Sequence, residues 1–212
     1  MRLHQWIASC VVALGLTGAA QAALINPGFE LNDASGGDVP GATGWGGFNA
    51  NFTSTAFART GTQSLKVFGP FFQFGGAGAV QAQPAVAGTS YTASGYIFSP
   101  ANDQVTPGNF AVVKVEFLDA GNAVIGFAES PQFTSASPAD TWTPLSATGV
   151  APAGTVNAQI VLVHVQLNNP PTGGAVYFDD TDLFAVVPEP GMAAAGLILL
   201  GGFALRRRSS GR

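Results

Sequence analysis

Trp45 and Phe48 stand in a run of glycine and asparagine that also holds Asn49 and Asn51. Phe71, Phe72 and Phe74 follow Pro70 and surround Gln73, and Trp142 lies close to Asp140. Aromatic faces beside carboxamides and carboxylates suit one chemistry in particular. The C–H side of a pyranose packs on a ring, while amide and carboxylate groups bond its hydroxyls. Trp45, then Phe72 or Trp142, are therefore the candidate contacts for a saccharide. The same rings also suit the interior of a small sandwich, which needs large side chains inside.

Catalytic constellations are sparse. Beyond the first 22 residues there is one histidine, His164, flanked by Val163 and Val165. Alone it makes neither a triad nor a multi-histidine metal site. No Gly-x-Ser-x-Gly elbow, His-Glu-x-x-His or phosphate loop is present. Two carboxylates suffice to cleave a glycosidic bond, and Glu116, Glu129 and the Asp179–Asp182 cluster are available. Nothing in the sequence sets any pair across a cleft, so the expectation is a non-enzyme.

The two ends of the chain carry a different kind of information. Arg2, the apolar run Trp6–Leu16 and the small-x-small site Ala20-Gln21-Ala22 have the order of a secretory signal peptide over residues 1–22. Cys10, the chain's one cysteine, falls inside it, so disulfides and thiol chemistry are not expected beyond it. At the other end Pro188-Glu189-Pro190 precedes an apolar stretch closed by Arg206-Arg207-Arg208. Residues 190–205 are expected to form a weak transmembrane helix, short beside the roughly 20 residues that span hydrocarbon comfortably. The arginines would stay cytoplasmic. Over 188–212 this arrangement resembles the PEP-CTERM sorting signal of Gram-negative bacteria. The resemblance implies an inner-membrane-anchored precursor, recognition by an exosortase-type membrane protease, and release to the cell surface or an extracellular polysaccharide matrix.

Residues 23–187 are left as one domain. Arg59, Lys66 and Lys114 face eleven acidic residues there, a net charge of −8 against −4 for the whole chain. Such a surface disfavours nucleic acid and anionic lipid. The hydrophobic patterning predicts strands throughout. Ser64–Phe68 and Ser90–Phe98 alternate, and Phe110–Leu118 with Ala123–Phe127 reads as a hairpin about Asp119-Ala120-Gly121-Asn122. Val156–Leu167 is the longest alternating run, with Ile160, Leu162 and, less regularly, the neighbouring valines facing inward. Ala175–Phe178 supplies a late strand that Leu183–Val187 extends. Gly/Pro turns between short strands predict an all-β sandwich.

A second resemblance runs the length of that domain. Asn26-Pro27-Gly28-Phe29-Glu30 opens it, followed by Trp45, Gly61–Val67, Tyr91–Tyr96, the Phe117–Ile125 hairpin, Trp142, Pro152-Ala153-Gly154 and Val176–Asp180. In this order they resemble the galactose-binding-like jelly rolls, closest to carbohydrate-binding modules of families four and nine. The resemblance implies a jelly-roll β-sandwich. It also implies a structural calcium ion shared by Glu30 and Asp179 or Asp180, with backbone oxygens from the loop around Thr62–Lys66. Polysaccharide is the expected partner; a structural or adhesive matrix protein without a defined sugar site is the alternative.

Overall fold

The computed structural model describes residues 23–69, 72–168 and 173–186. The expected signal peptide (1–22) and the expected sorting signal (188–212) lie outside the described residues. Among the described residues no helix is long and apolar enough to cross a membrane.

Two antiparallel sheets face each other. The first runs β1 (Val39–Pro40), β3 (Asn51–Ser54), β4 (Ser64–Phe68), β12 (Ala175–Val186), β6 (Ser90–Phe98), β10 (Thr143–Val150). The second runs β2 (Gly46–Phe48), β5 (Gly75–Pro84), β11 (Asn157–Gln166), β7 (Phe110–Leu118), β8 (Val124–Glu129), and β9 (Phe133–Thr134) also pairs with β7. This is a β-sandwich of jelly-roll type, as the sequence predicts.

Period-two side-chain alternation explains both faces of each sheet. From β7 the residues Ala111, Val113, Val115 and Phe117 enter the core, and from β11 Ala158, Ile160 and Leu162 do so. Leu65, Ile97, Phe178 and Leu183 meet them from the first sheet. One expectation is corrected here. Val161 and Val163 do not face the core; with Val112 they form a separate cluster on the outer side of the second sheet. The strict period of β11 leaves no alternative once Ile160 and Leu162 point inward.

The expected hairpin is present, joining β7 to β8. Asp119 Oδ1 accepts the N–H groups of Gly121 (2.8 Å) and Ala123 (2.9 Å), and Asn122 takes the left-handed conformation (φ 63°). The late strand is continuous but irregular. Its pairing with β6 shifts between Asp179 and Asp182, and Asp180 has φ 46°. That bulge takes Asp180 and Thr181 out of the ladder, while Asp179 and Asp182 keep Tyr96 and Ser94 as partners.

Candidate functional site

The three rings expected to touch saccharide occupy three different environments. Trp45 is interior. Its indole Nε1 donates to the Asn26 carbonyl (3.1 Å), and its ring lies 5.1 Å from that of Phe29, in the main core. Removing the indole from water and satisfying its one N–H makes Trp45 a core anchor, which corrects its assignment as a ligand contact. Trp142 is half-buried against Phe98 (5.2 Å, 35°) in a satellite cluster with Phe57, Phe68, Ala175 and Tyr177. Phe72 is exposed in the loop between β4 and β5, beside the more exposed Phe74. The fold does not assemble these three into one surface.

A different surface is assembled on the outer side of the second sheet. Register places Val163 between Gly78 and Val112, Val161 between Val80 and Lys114, and Gln159 between Ala82 and Glu116. The next strand sets Glu129 beside Lys114 and Phe127 beside Glu116. One half of the face is apolar: Val112, Val161 and Val163, with Phe48, Val80, Phe110 and Val165 packed around them. Every member comes from the second sheet itself. Phe48 lies across β5 because glycines leave room for it; a Cβ on Gly76 would stand 3.8 Å from its ring and one on Gly78 3.0 Å. A β-carbon at Gly78 would also run into the Leu162 carbonyl.

The other half of the face is polar around an exposed ring. Lys114 Nζ lies 3.0 Å from Glu116 Oε1 and 4.6 Å from the centroid of Phe127, which is 60% exposed. Gln159 Nε2 donates to Glu116 Oε2 at 3.3 Å. Ammonium, carboxylate, carboxamide and phenyl ring are thus held in fixed order on adjacent strands of a rigid sheet. Sequence reasoning noted Glu116 and Glu129 only as a catalytic possibility and passed over Phe110, Lys114, Phe127 and Gln159. The signal was present: Phe110, Val112, Lys114 and Glu116 share one face of a period-two strand.

Glu30, Asp179 and Asp180, the acidic residues of the expected calcium site, all bond to the loop that follows β3. Glu30 Oε1 accepts the N–H groups of Thr62 and Gln63 (both 2.9 Å), and Oε2 accepts the Thr62 hydroxyl (2.8 Å). These bonds hold its carboxyl below the ordinary value although burial pushes the other way. Asp179 Oδ2 accepts from the N–H of Arg59 (2.8 Å) and Thr60 (3.2 Å), and Oδ1 from that of Asp180 (2.7 Å). Asp180 accepts the Thr60 hydroxyl (2.6 Å) and pairs with the Arg59 guanidinium. The loop offers N–H groups where a calcium ion would want carbonyl oxygens. Among the described residues no group of three or more Asp, Glu, His or Cys side chains is arranged to hold a metal. As arranged, this donor set does not fit the ion.

His164 is fully buried on the inward face of β11 between Ala77 and Ala111. Among the described residues neither ring nitrogen has a hydrogen-bond partner, and burial pushes the imidazole down to about 4. It is a neutral interior residue, as expected for a lone strand histidine.

No protein-family model matches the chain, and no curated protein matches it. Solved structures share its architecture. A cyclase from Fischerella sp. TAU, in complex with 4-(1H-indol-3-yl)butan-2-one, superposes with a TM-score of 0.58 at 18% identity, covering 81% of this chain and 100% of the cyclase. The CBM22-1 xylan-binding domain of Paenibacillus barcinonensis Xyn10C gives a TM-score of 0.52 at 16% identity, covering 80% and 97%. The CBM22-1–GH10 modules of Clostridium thermocellum xylanase 10B, complexed with xylohexaose, give 0.51 at 18% identity, covering 78% and 29%. At these identities the likeness establishes the fold, which enzymes and carbohydrate-binding modules both use.

Proposed function

We propose that this protein is an exported, non-catalytic module that binds neutral polysaccharide on the outer face of its second sheet. One observation carries the reading: the exposed Phe127 ring stands beside a Lys114–Glu116–Gln159 network, continuous in register with the apolar half under Phe48 and Phe110. A pyranose stacked on Phe127 would find a carboxylate and a carboxamide within reach of its hydroxyls. Because both are fixed by strand register, little ordering entropy is lost on binding. The net charge of −8 repels polyanions, so a neutral glycan fits best. The xylan-binding neighbours support the reading at the level of fold. The PEP-CTERM resemblance at 188–212 supplies the destination: a membrane-held precursor, cut by an exosortase-type protease and delivered to the surface or matrix.

Affinity gel electrophoresis on neutral polysaccharides tests the proposal. Retardation is expected for the wild type, and Phe127→Ala should weaken it roughly tenfold, the equivalent of about 1.4 kcal/mol. Failure of any neutral polysaccharide, the host's own included, to retard the protein would refute the binding reading. A second reading, an adhesive matrix protein, is favoured by the free edge of β8, where Val124 and Phe127 are more than half exposed and Ile125 is also exposed. Unprotected apolar edges pair with other chains. Concentration-dependent self-association that is insensitive to added sugar would select it.

A further inference from the structure

We infer that the guanidinium of Arg59, with the backbone N–H groups of residues 59–63, clamps the two chain ends of this sandwich together and does so without a divalent cation. The clamp joins three distant stretches: the opening segment around Glu30, the loop after β3, and the bulge of β12 at Asp179–Asp180. All six carboxylate oxygens of Glu30, Asp179 and Asp180 accept a hydrogen bond from that loop or, for Asp179 Oδ1, from the next residue. The opening segment is tied directly to the bulge as well. Thr181 donates both its N–H (3.0 Å) and its hydroxyl (2.8 Å) to the Pro27 carbonyl.

A calcium ion and this arrangement exclude one another on electrostatic grounds. Calcium requires several oxygens whose lone pairs converge on one point. Here those lone pairs point at N–H and O–H hydrogens instead, and the local positive charge is already present. The Arg59 guanidinium is held from two sides: its Cζ stands 3.5 Å above the centroid of the Tyr96 ring, and its Nη1 meets Asp180 Oδ2. Stacking on an aromatic face together with a charge-assisted hydrogen bond is a geometry that arginine supports and lysine does not. Asp179 is fully buried and, among the described residues, forms no ion pair; three backbone N–H groups serve it instead.

Thermal unfolding of the full-length chain, with calcium calorimetry alongside, tests the clamp. The wild type is expected to melt at the same temperature in millimolar EDTA and in millimolar calcium, and to show no calcium-binding heat. Arg59→Gln is expected to lower the melting temperature by a few degrees, with Arg59→Lys recovering only part of the loss. Asp180→Asn should lower it too, and the double variant should lose less than the two single losses together. A melting temperature that falls on chelation would overturn the inference. So would an Arg59→Gln variant as stable as the wild type, or losses that simply add. Sugar binding on the other sheet is read separately, so failure of the glycan proposal leaves these outcomes unchanged.

Discussion

Replacing His164 by leucine should change how the stability of this protein depends on pH, not merely its size. The imidazole is fully buried between two alanines with neither nitrogen paired. Its folded-state value is about 4 against an ordinary 6.5. The fold therefore accepts only the neutral ring. This contribution to stability is complete above pH 6.5 and is lost as the pH falls towards 4, because the unfolded chain takes up a proton that the folded chain refuses. Between about pH 7 and about pH 4.5 the loss amounts to about 2–3 kcal/mol. Asp179 works in the opposite direction. Burial pushes its carboxyl up from 3.8 to about 6, against the pull of the N–H groups of Arg59, Asp180 and Thr60. Its contribution is complete below pH 3.8 and disappears as the pH rises to 6, so over the same window acidification returns about 2 kcal/mol. These two contributions should thus largely cancel across the window. His164→Leu, relieved of two buried unsatisfied nitrogens, should gain about 1–2 kcal/mol near neutrality. It should then grow more stable on acidification, its melting temperature rising by about 4–8 °C between pH 7 and pH 4.5. Calorimetric melts across that range make the comparison. Parallel pH profiles for wild type and variant would refute the reasoning.

Two further outcomes follow from the positions of Trp45 and the terminal motif. Trp45→Ala should cost about 3–5 kcal/mol in denaturant titrations, as for other buried tryptophans, while the polysaccharide affinity of the remaining folded protein stays unchanged; a selective loss of binding would return Trp45 to the ligand surface. Replacing Pro188-Glu189-Pro190 should leave an uncut, membrane-bound form in cell fractionation, and normal release of that variant would count against the sorting assignment.

The alternating strands were legible because their pattern is local. Phe110–Leu118 carries its own two faces, and the aspartate and glycine of the following turn announce the hairpin. The site was less legible because it depends on which strands become neighbours. Gln159 and Glu116 are 43 positions apart and meet only because β11 pairs with β7. Trp45 misled for the opposite reason. Its Gly- and Asn-rich surroundings look like an open loop, but the groups that bury it, Asn26 and Phe29, lie upstream in another segment. The acidic ends reach one loop, Glu30 bonding to Thr62 and Gln63 and Asp179–Asp180 to Arg59 and Thr60. What composition cannot show is that the intervening loop turns its N–H groups towards them rather than its carbonyls.

A sandwich shared by a cyclase and by xylan-binding modules does not choose between catalysis and binding; the groups a ligand can reach do. Acid–base catalysis needs a titratable side chain free to exchange a proton with the substrate. Asp179 has the raised value of a candidate acid, yet it is sealed from solvent and its oxygens are held by three N–H groups. His164 is equally sealed, at the bottom of a sheet. Glu116 is accessible from the outer face, but one oxygen meets Lys114 and the other Gln159. Binding makes no such demand. It needs a ring face and hydrogen-bonding groups that stay where they are, and the pairing that immobilises Glu116 would, in the proposed site, hold it towards a hydroxyl. The two groups pushed furthest from their ordinary values, His164 and Asp179, are thus buried in the scaffold, which accords with the proposed binding role.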